Sequence, residues 1–259
     1  MRRPIQHAAR APIEANRTLA VCRKMYNWAI SKDLLENNPC AHIAAPGEER
    51  QRERVLSDDE IRAIWKDLDN EGPRLAAIFR LRLITAQRGG EVAAMESQEL
   101  DLAGGWWTIP GYKSKNGLAH RVPLMPPALK ILEHELRRPR ESSYIFPAPR
   151  GKGQSPTSKF DLTKTTERIR KRTGIKDFKA HDLRRTASSL MTGMGIPRLT
   201  VSKILNHVEP GVTAVYDRHS YDAEKRDALE KWARRLSMIV SDLRQVSPAV
   251  AEGPSKVSE

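Results

Sequence analysis

Apolar residues recur at helical spacing over most of the chain. Within 17–35, Leu19, Cys22, Met25 or Tyr26, Ala29 and Ile30 lie three or four residues apart, which predicts one amphipathic helix. A lone helix cannot bury its apolar stripe, so this one needs either the main domain or a segment beyond the chain to pack against. The small, charged run 44–54 with its Pro and Gly reads as a linker. A new domain opens at Ser57-Asp58-Asp59-Glu60, a capping box in which Ser57 caps the backbone amides and Glu60 reaches back. Ile61, Ile64, Trp65 and Leu68 follow as its apolar face. Pro73 starts a second helix that runs through Leu83, and Gly89-Gly90 punctuates the chain before EVAAM.

The period then changes. Trp106–Pro110 and Arg121–Leu124 read as short strands around the loop Ser114-Lys115-Asn116-Gly117, whose Asn-Gly is a strong turn dipeptide. Beyond Pro127 the pattern is helical again, over 127–137, 157–173, 181–193, 197–206, 211–216 and 222–241, with Gly or Pro between the segments. Residues 243–259 carry no periodicity and read as a frayed tail. The predicted fold is mainly α with a small antiparallel β-sheet.

Composition narrows the function. At roughly 150 residues per domain, 259 residues hold one full domain and part of another. Lys and Arg exceed Asp and Glu by 45 to 32, a formal charge of +13, which points to a polyanionic partner. No apolar run is long enough to span a membrane, and no signal-peptide h-region is present, so the expected location is cytoplasmic, at the bacterial nucleoid. Cys22 and Cys40 lack zinc spacing and read as free thiols. Aromatic residues at 5% are poor material for stacking single strands, so the partner expected is duplex DNA held through its phosphates. Such binding falls with salt by about −0.9 in log–log slope per neutralised phosphate.

No phosphate loop, HExxH or acidic cluster for catalytic magnesium is present, so DNA chemistry here has to use cationic side chains and a nucleophile, without metal or cofactor. Candidates occur in order along the chain. Thr85-Ala86-Gln87-Arg88-Gly89-Gly90-Glu91 sets Arg88 and Glu91 three apart, as on one helical face, where the carboxylate can orient the guanidinium. Lys115 sits in the predicted turn. His181-Asp182-Leu183-Arg184 aligns an imidazole with a guanidinium, Asn206-His207 adds another imidazole, and Tyr216 follows nine residues later. Taken singly these are an ordinary ion pair, a solvated lysine and a half-buried tyrosine. Only their joint order is informative.

That order, with the words TAQRGGEVAAM, WWTIPGYKSKNG–HRVPL, FKAHDLRRTASSLM and ILNHVEPGVTAVYDRHS, resembles the tyrosine recombinase (phage integrase) family, and most of all the integrases of prophages and genomic islands. The resemblance covers about 55–235. It implies the tyrosine recombinase catalytic-domain fold over 57–241, preceded by a partial helical core-binding (SAM-like) domain at 1–47, a linker at 48–56 and a disordered tail at 242–259. It implies Tyr216 as the nucleophile of a 3′-phosphotyrosyl link, formed without ATP, and Arg88 and Arg184 as clamps on the non-bridging oxygens. It further implies Lys115 as acid to the leaving 5′-oxygen, His181 as base or hydrogen-bond partner to Tyr216, His207 as donor to the phosphate, and Glu91 as support for Arg88. Implied partners are double-stranded attachment sites, three further copies in a homo-tetramer on synapsed DNA, and accessory DNA-bending proteins.

Two positions depart from the family pattern, which often has Gly where this chain has Ala86 and Asn206. Tyr221 is a rival nucleophile, which the nine-residue spacing from His207 disfavours. The segment before 55 resembles only the last part of a core-binding domain, so a truncated integrase is expected. The helix at 222–241 fits docking on a neighbouring protomer or on its own domain. Three other readings stay open: a DNA-binding remnant without turnover, a type IB topoisomerase-like enzyme, and a basic RNA-binding protein, the last leaving the ordered pattern unexplained.

Overall fold

A computed structural model of the chain describes residues 11–48, 52–148, 154–207 and 219–241. Tyr216, the predicted helix at 211–216 and the predicted tail all lie outside them. The chain divides into two compact units, Met1–Glu53 and Arg54–Glu259.

The first unit holds helix α1, Pro12–Ile30, followed by a loop that returns along it. The helix starts and ends five residues earlier than periodicity suggested. Pro12 fits the first helical turn, where a missing N–H costs nothing, and the chain turns away after Ser31 through Asp33 in left-handed conformation. The return loop is tied by polar bonds: Asn16 exchanges two hydrogen bonds with the Gly47 backbone, at 2.7 and 2.9 Å, and Arg23 donates to the carbonyl of Cys40 at 3.0 Å. Leu19, Cys22, Tyr26, Ala29 and Ile30 are half-buried and Met25 is exposed, so Tyr26 fills the position the pattern left open.

The second unit carries one contiguous core. Helix α2, Asp58–Asp67, has the expected capping box: Ser57 Oγ accepts from the Glu60 amide at 3.2 Å, and Glu60 accepts from the Ser57 amide at 3.0 Å. Helix α3, Pro73–Thr85, is buried over most of its length and is followed by the short α4, Gly89–Ala93. Strands β1 (Leu100–Asp101), β2 (Trp106–Ile109) and β3 (His120–Pro123) form an antiparallel sheet in that order. β1 is too short to leave an alternation in the sequence. Trp107 and Ile109 face the core opposite Val122 and His120, so β3 begins one residue earlier than predicted and takes His120 inside. Helices α5 (Pro126–Leu136), α6 (Lys159–Thr173), α7 (Asp182–Gly193) and α8 (Arg198–Ile204) follow, with the last, α9, at Asp222–Ser241. The sequence-based fold class is observed: a mainly helical unit with one small sheet.

α9 packs on its own domain. Leu229, Trp232, Leu236 and Ile239 are buried, and Trp232 Nε1 donates to the Leu83 carbonyl of α3 at 2.9 Å. Arg226 of α9 and Arg121 of β3 both stack on the Trp106 ring, 4.5 and 4.2 Å from its centroid. Among the described residues no helix is long and apolar enough to cross a membrane.

Candidate active site

A helix leaves its last carbonyls without intrahelical partners. At the C-terminus of α8 these orphan groups gather the site. Gln87 Nε2 donates to the Ile204 carbonyl at 2.9 Å, and His120 Nε2 bonds the same oxygen at 3.0 Å. Arg184 Nη2 donates to the Leu205 carbonyl, while its Nη1 donates to the Ala86 carbonyl at 3.0 Å. The turn before Arg88, the sheet and helix α7 are thereby drawn to the point where the chain enters Asn206-His207.

The turn depends on unusual backbone. Ala86 and Asn206 have φ of +57° and +49°, the left-handed region that L-residues seldom occupy. Both positions were expected to depart from a glycine pattern, and the backbone at each is one that glycine adopts without strain. Gly89 makes a close approach: a Cβ there would lie 2.8 Å from Cζ of the buried Arg82 guanidinium, which would have to shift.

Arg88 and Glu91 do pair, through Arg88 Nη1 and Glu91 Oε1 at 2.8 Å, but not as two positions on one helical face. Arg88 is extended and caps α4, and its amide donates to Glu91 Oε2 at 3.1 Å. One carboxylate therefore holds both the backbone and the side chain of the arginine. Arg184 is 3% exposed, and among the described residues none of its hydrogen bonds goes to a carboxylate. Burial, then the neighbouring Arg88, lowers its pKa to about 10. His207 Nε2 lies 3.4 Å from Arg184 Nη2. Two guanidiniums and an imidazole thus crowd one place, an arrangement that an anion would relieve.

His181 immediately precedes α7 and is exposed. Its own partial burial, followed by Arg184, Arg185 and Arg82, holds its pKa below the ordinary value, which favours the neutral imidazole. The hairpin holds two lysines, and the structure separates them. Lys113 bonds the Ala94 carbonyl at 3.0 Å and the carboxylates of Glu96 and Glu99. Burial pulls its pKa down, but the two carboxylates outweigh that and raise it. Lys115 is exposed in the loop, whose neighbour Asn116 donates to the Asn206 carbonyl at 3.3 Å beside His207. Tyr221 is described. Its backbone is left-handed, its ring meets that of His219 edge-on at 4.6 Å, and Lys203 lies 4.7 Å over it.

Gln87, His120 and Asn116 were not read from the sequence as site residues, although Asn116 was placed in the turn. Each is a polar residue inside a motif word, and the only available sign of His120 was its inward place on an alternating strand.

Comparison with known proteins places this fold in a family. The model of the phage integrase family matches residues 54–223, and the chain belongs to that family of tyrosine recombinases. Prophage integrase IntZ of Escherichia coli K12 is 25% identical over 237 residues, covering 89% of this chain and 57% of that protein. A XerC-like tyrosine recombinase of Caldanaerobacter subterraneus is 26% identical over 250 residues, 80% of this chain and 62% of its own length. The chain therefore spans about three-fifths of these relatives. A solved lambda integrase dimer bound to a core site superposes with a TM-score of 0.63 at 20% identity, over 79% of this chain and 76% of that one. The Tn1549 transposon integrase in complex with circular-intermediate DNA gives 0.64 at 13% identity, over 88% and 84%. These two likenesses concern the fold.

Proposed function

We propose that the chain is a site-specific DNA recombinase that cleaves and rejoins duplex DNA through a 3′-phosphotyrosyl intermediate. The observation that carries this reading is Arg184, buried, with no carboxylate bonded to it among the described residues, beside Arg88 and within 3.4 Å of His207. Such a cluster is costly unless an anion completes it, and a scissile phosphate fits two guanidinium forks.

In this reading Tyr216 Oη attacks the phosphorus as its proton passes to neutral His181. The bond to the 5′-oxygen breaks, and Lys115 protonates that oxygen. Arg88 and Arg184 hold the non-bridging oxygens, His207 donates to one of them, and Glu91 keeps Arg88 aimed. A phenol with a pKa near ~10 is a weak nucleophile, so base and cations are both needed. One phosphoester replaces another, which removes any need for ATP. Rejoining is the same path reversed with the 5′-hydroxyl of a partner strand. The packed, cation-covered ring of Tyr221 favours Tyr216 as the nucleophile.

The partners proposed are duplex attachment sites, a homo-tetramer on synapsed DNA and accessory bending proteins, met at the chromosome in the cytoplasm. The first unit is read as part of the helical core-binding half of a clamp, with 48–56 as its linker and 57–241 as the catalytic half.

The test is a nicked suicide duplex spanning the junction of the element with its host, scored for a covalent protein–DNA band on a denaturing gel. The expected band disappears with Tyr216→Phe and persists with Tyr221→Phe. A gel shift without any band identifies a binding remnant. Relaxation of supercoiled DNA irrespective of site identifies a topoisomerase.

A further inference from the structure

The loop that carries Lys115 is held on both sides of the lysine. Ser114, buried, donates from Oγ to Asn116 Oδ1 at 2.7 Å. Asn206 Nδ2 donates to Ser114 Oγ at 2.8 Å, and Asn116 Nδ2 donates back to Asn206 Oδ1 at 3.0 Å. Asn116 also reaches the Asn206 carbonyl at 3.3 Å and accepts from the Leu118 amide at 3.1 Å. Positions 114 and 116 thus face the protein body, and the residue between them is turned outward. Gly117 closes the turn, with φ +75° and its amide bonded to the Ser114 carbonyl at 3.1 Å.

The other end of the network is as informative. Asn206 directly precedes His207, which lies 3.4 Å from Arg184. Its side chain therefore joins the lysine loop to the Arg–His–Arg cluster that would hold the phosphate. The left-handed backbone at 206 accepts glycine without strain and asparagine with little. A carboxamide is not needed for the turn itself, and here it makes two donor contacts and one acceptor contact to the lysine loop.

We propose that Ser114, Asn116 and Asn206 form a clasp that sets Lys115 at the leaving oxygen, and that they are positioning residues for its proton transfer. This rests on the reading of Lys115 as the acid. A proton donor acts only within hydrogen-bond reach, and displacement by about an ångström can cost up to ~10²-fold in rate. A solvated loop lysine without the clasp would visit the leaving oxygen only part of the time.

Asn206→Gly is the incisive variant, because it removes the carboxamide while easing the backbone. Single-turnover cleavage is measured on two nicked duplexes that differ in one atom, oxygen or sulfur at the bridging 5′ position. A thiolate departs without a proton, so the sulfur substrate needs no acid. Lys115→Ala, Asn206→Gly and Asn116→Ala are expected to slow the oxygen substrate, the asparagine variants by about tenfold. All three should match wild type on sulfur, whereas Arg184→Lys stays slow on both. If sulfur fails to restore Lys115→Ala, the acid assignment falls and the clasp with it. If sulfur restores Lys115→Ala while Asn206→Gly is as fast as wild type on oxygen, or slow on both, the clasp alone falls. Amide hydrogen exchange on the free chain reads the clasp without turnover: amides of 114–118 should exchange about tenfold faster in Asn206→Gly, with β2 and β3 unchanged. Equal exchange overturns the proposal whatever the kinetics.

Discussion

Arg184 Nη1 donates to the carbonyl of Ala86 at 3.0 Å, and Ala86 presents that carbonyl from a left-handed backbone with φ +57°. The reversal at Ala86 ends α3, turns Gln87 inward to the Ile204 carbonyl and leads to Arg88 at the head of α4. Arg184 is thus both a cation of the candidate site and the strut that holds the neighbouring arginine's turn.

Lysine cannot replace that strut. Arg184→Lys keeps the charge but lacks the planar fork that spans the Ala86 and Leu205 carbonyls. Covalent-adduct formation should fall about 10²-fold or more. Stability should fall by about 1–3 kcal/mol through an unsatisfied buried carbonyl. A lysine variant with wild-type adduct yield would show that the fork is not needed.

At position 86 backbone and packing act together. Ala86→Val puts a β-branched side chain into a fully buried left-handed site, and strain plus overpacking should cost about 3 kcal/mol. Ala86→Gly trades relief of strain against a lost buried methyl and should stay within about 1 kcal/mol of wild type. Urea midpoints of the two variants give the comparison, and equal losses would contradict the left-handed assignment.

The hairpin's two lysines should separate stability from chemistry. Lys113→Met leaves Glu99, 7% exposed, with the Trp107 Nε1 donor at 3.0 Å but no cation, and should cost about 2–3 kcal/mol. Lys115→Met should leave the urea midpoint unchanged and slow cleavage of an ordinary phosphodiester. Reversed assignments would show as stability lost at 115 and rate lost at 113.

His120 predicts an acid sensitivity. Burial first, then Lys225, lowers its pKa to about 4 from an ordinary 6.5. Between those values the unfolded chain binds a proton that the folded chain refuses. The contribution to stability is therefore complete above pH 6.5 and is lost as pH falls toward 4. Going from about pH 7 to about pH 4.5, wild type should lose about 2–3 kcal/mol more than His120→Gln, which keeps a donor for the Ile204 carbonyl. Parallel pH profiles for the two proteins would mean that His120 is protonated or exposed.

Much of the fold was legible because its signals are local. Ser57 and Glu60 form their capping box from residues three apart, and the apolar face of α9 repeats at the helical period, so both could be read without knowing what they pack against. The reading failed where one residue carries little signal. β1 has two residues, and Pro12 starts a helix ahead of any clear stripe. In the candidate site, Arg88, Glu91, Arg184 and His207 were found through their order along the chain, and Gln87, His120 and Asn116 were not. Their partners lie 117, 84 and 90 residues away.

The sequence by itself determined the helical periods, the hairpin, the basic charge and the ordered motif, because each depends on neighbours in the chain or on composition. Tertiary structure decided that Ala86 and Asn206 stand in glycine-like backbone, that Lys113 is spent on Glu96 and Glu99 while Lys115 stays exposed, and that α9 closes on its own domain. Those outcomes turn on which distant carbonyls and carboxylates are buried together. An unpaired polar group is costly only once packing has excluded water from it.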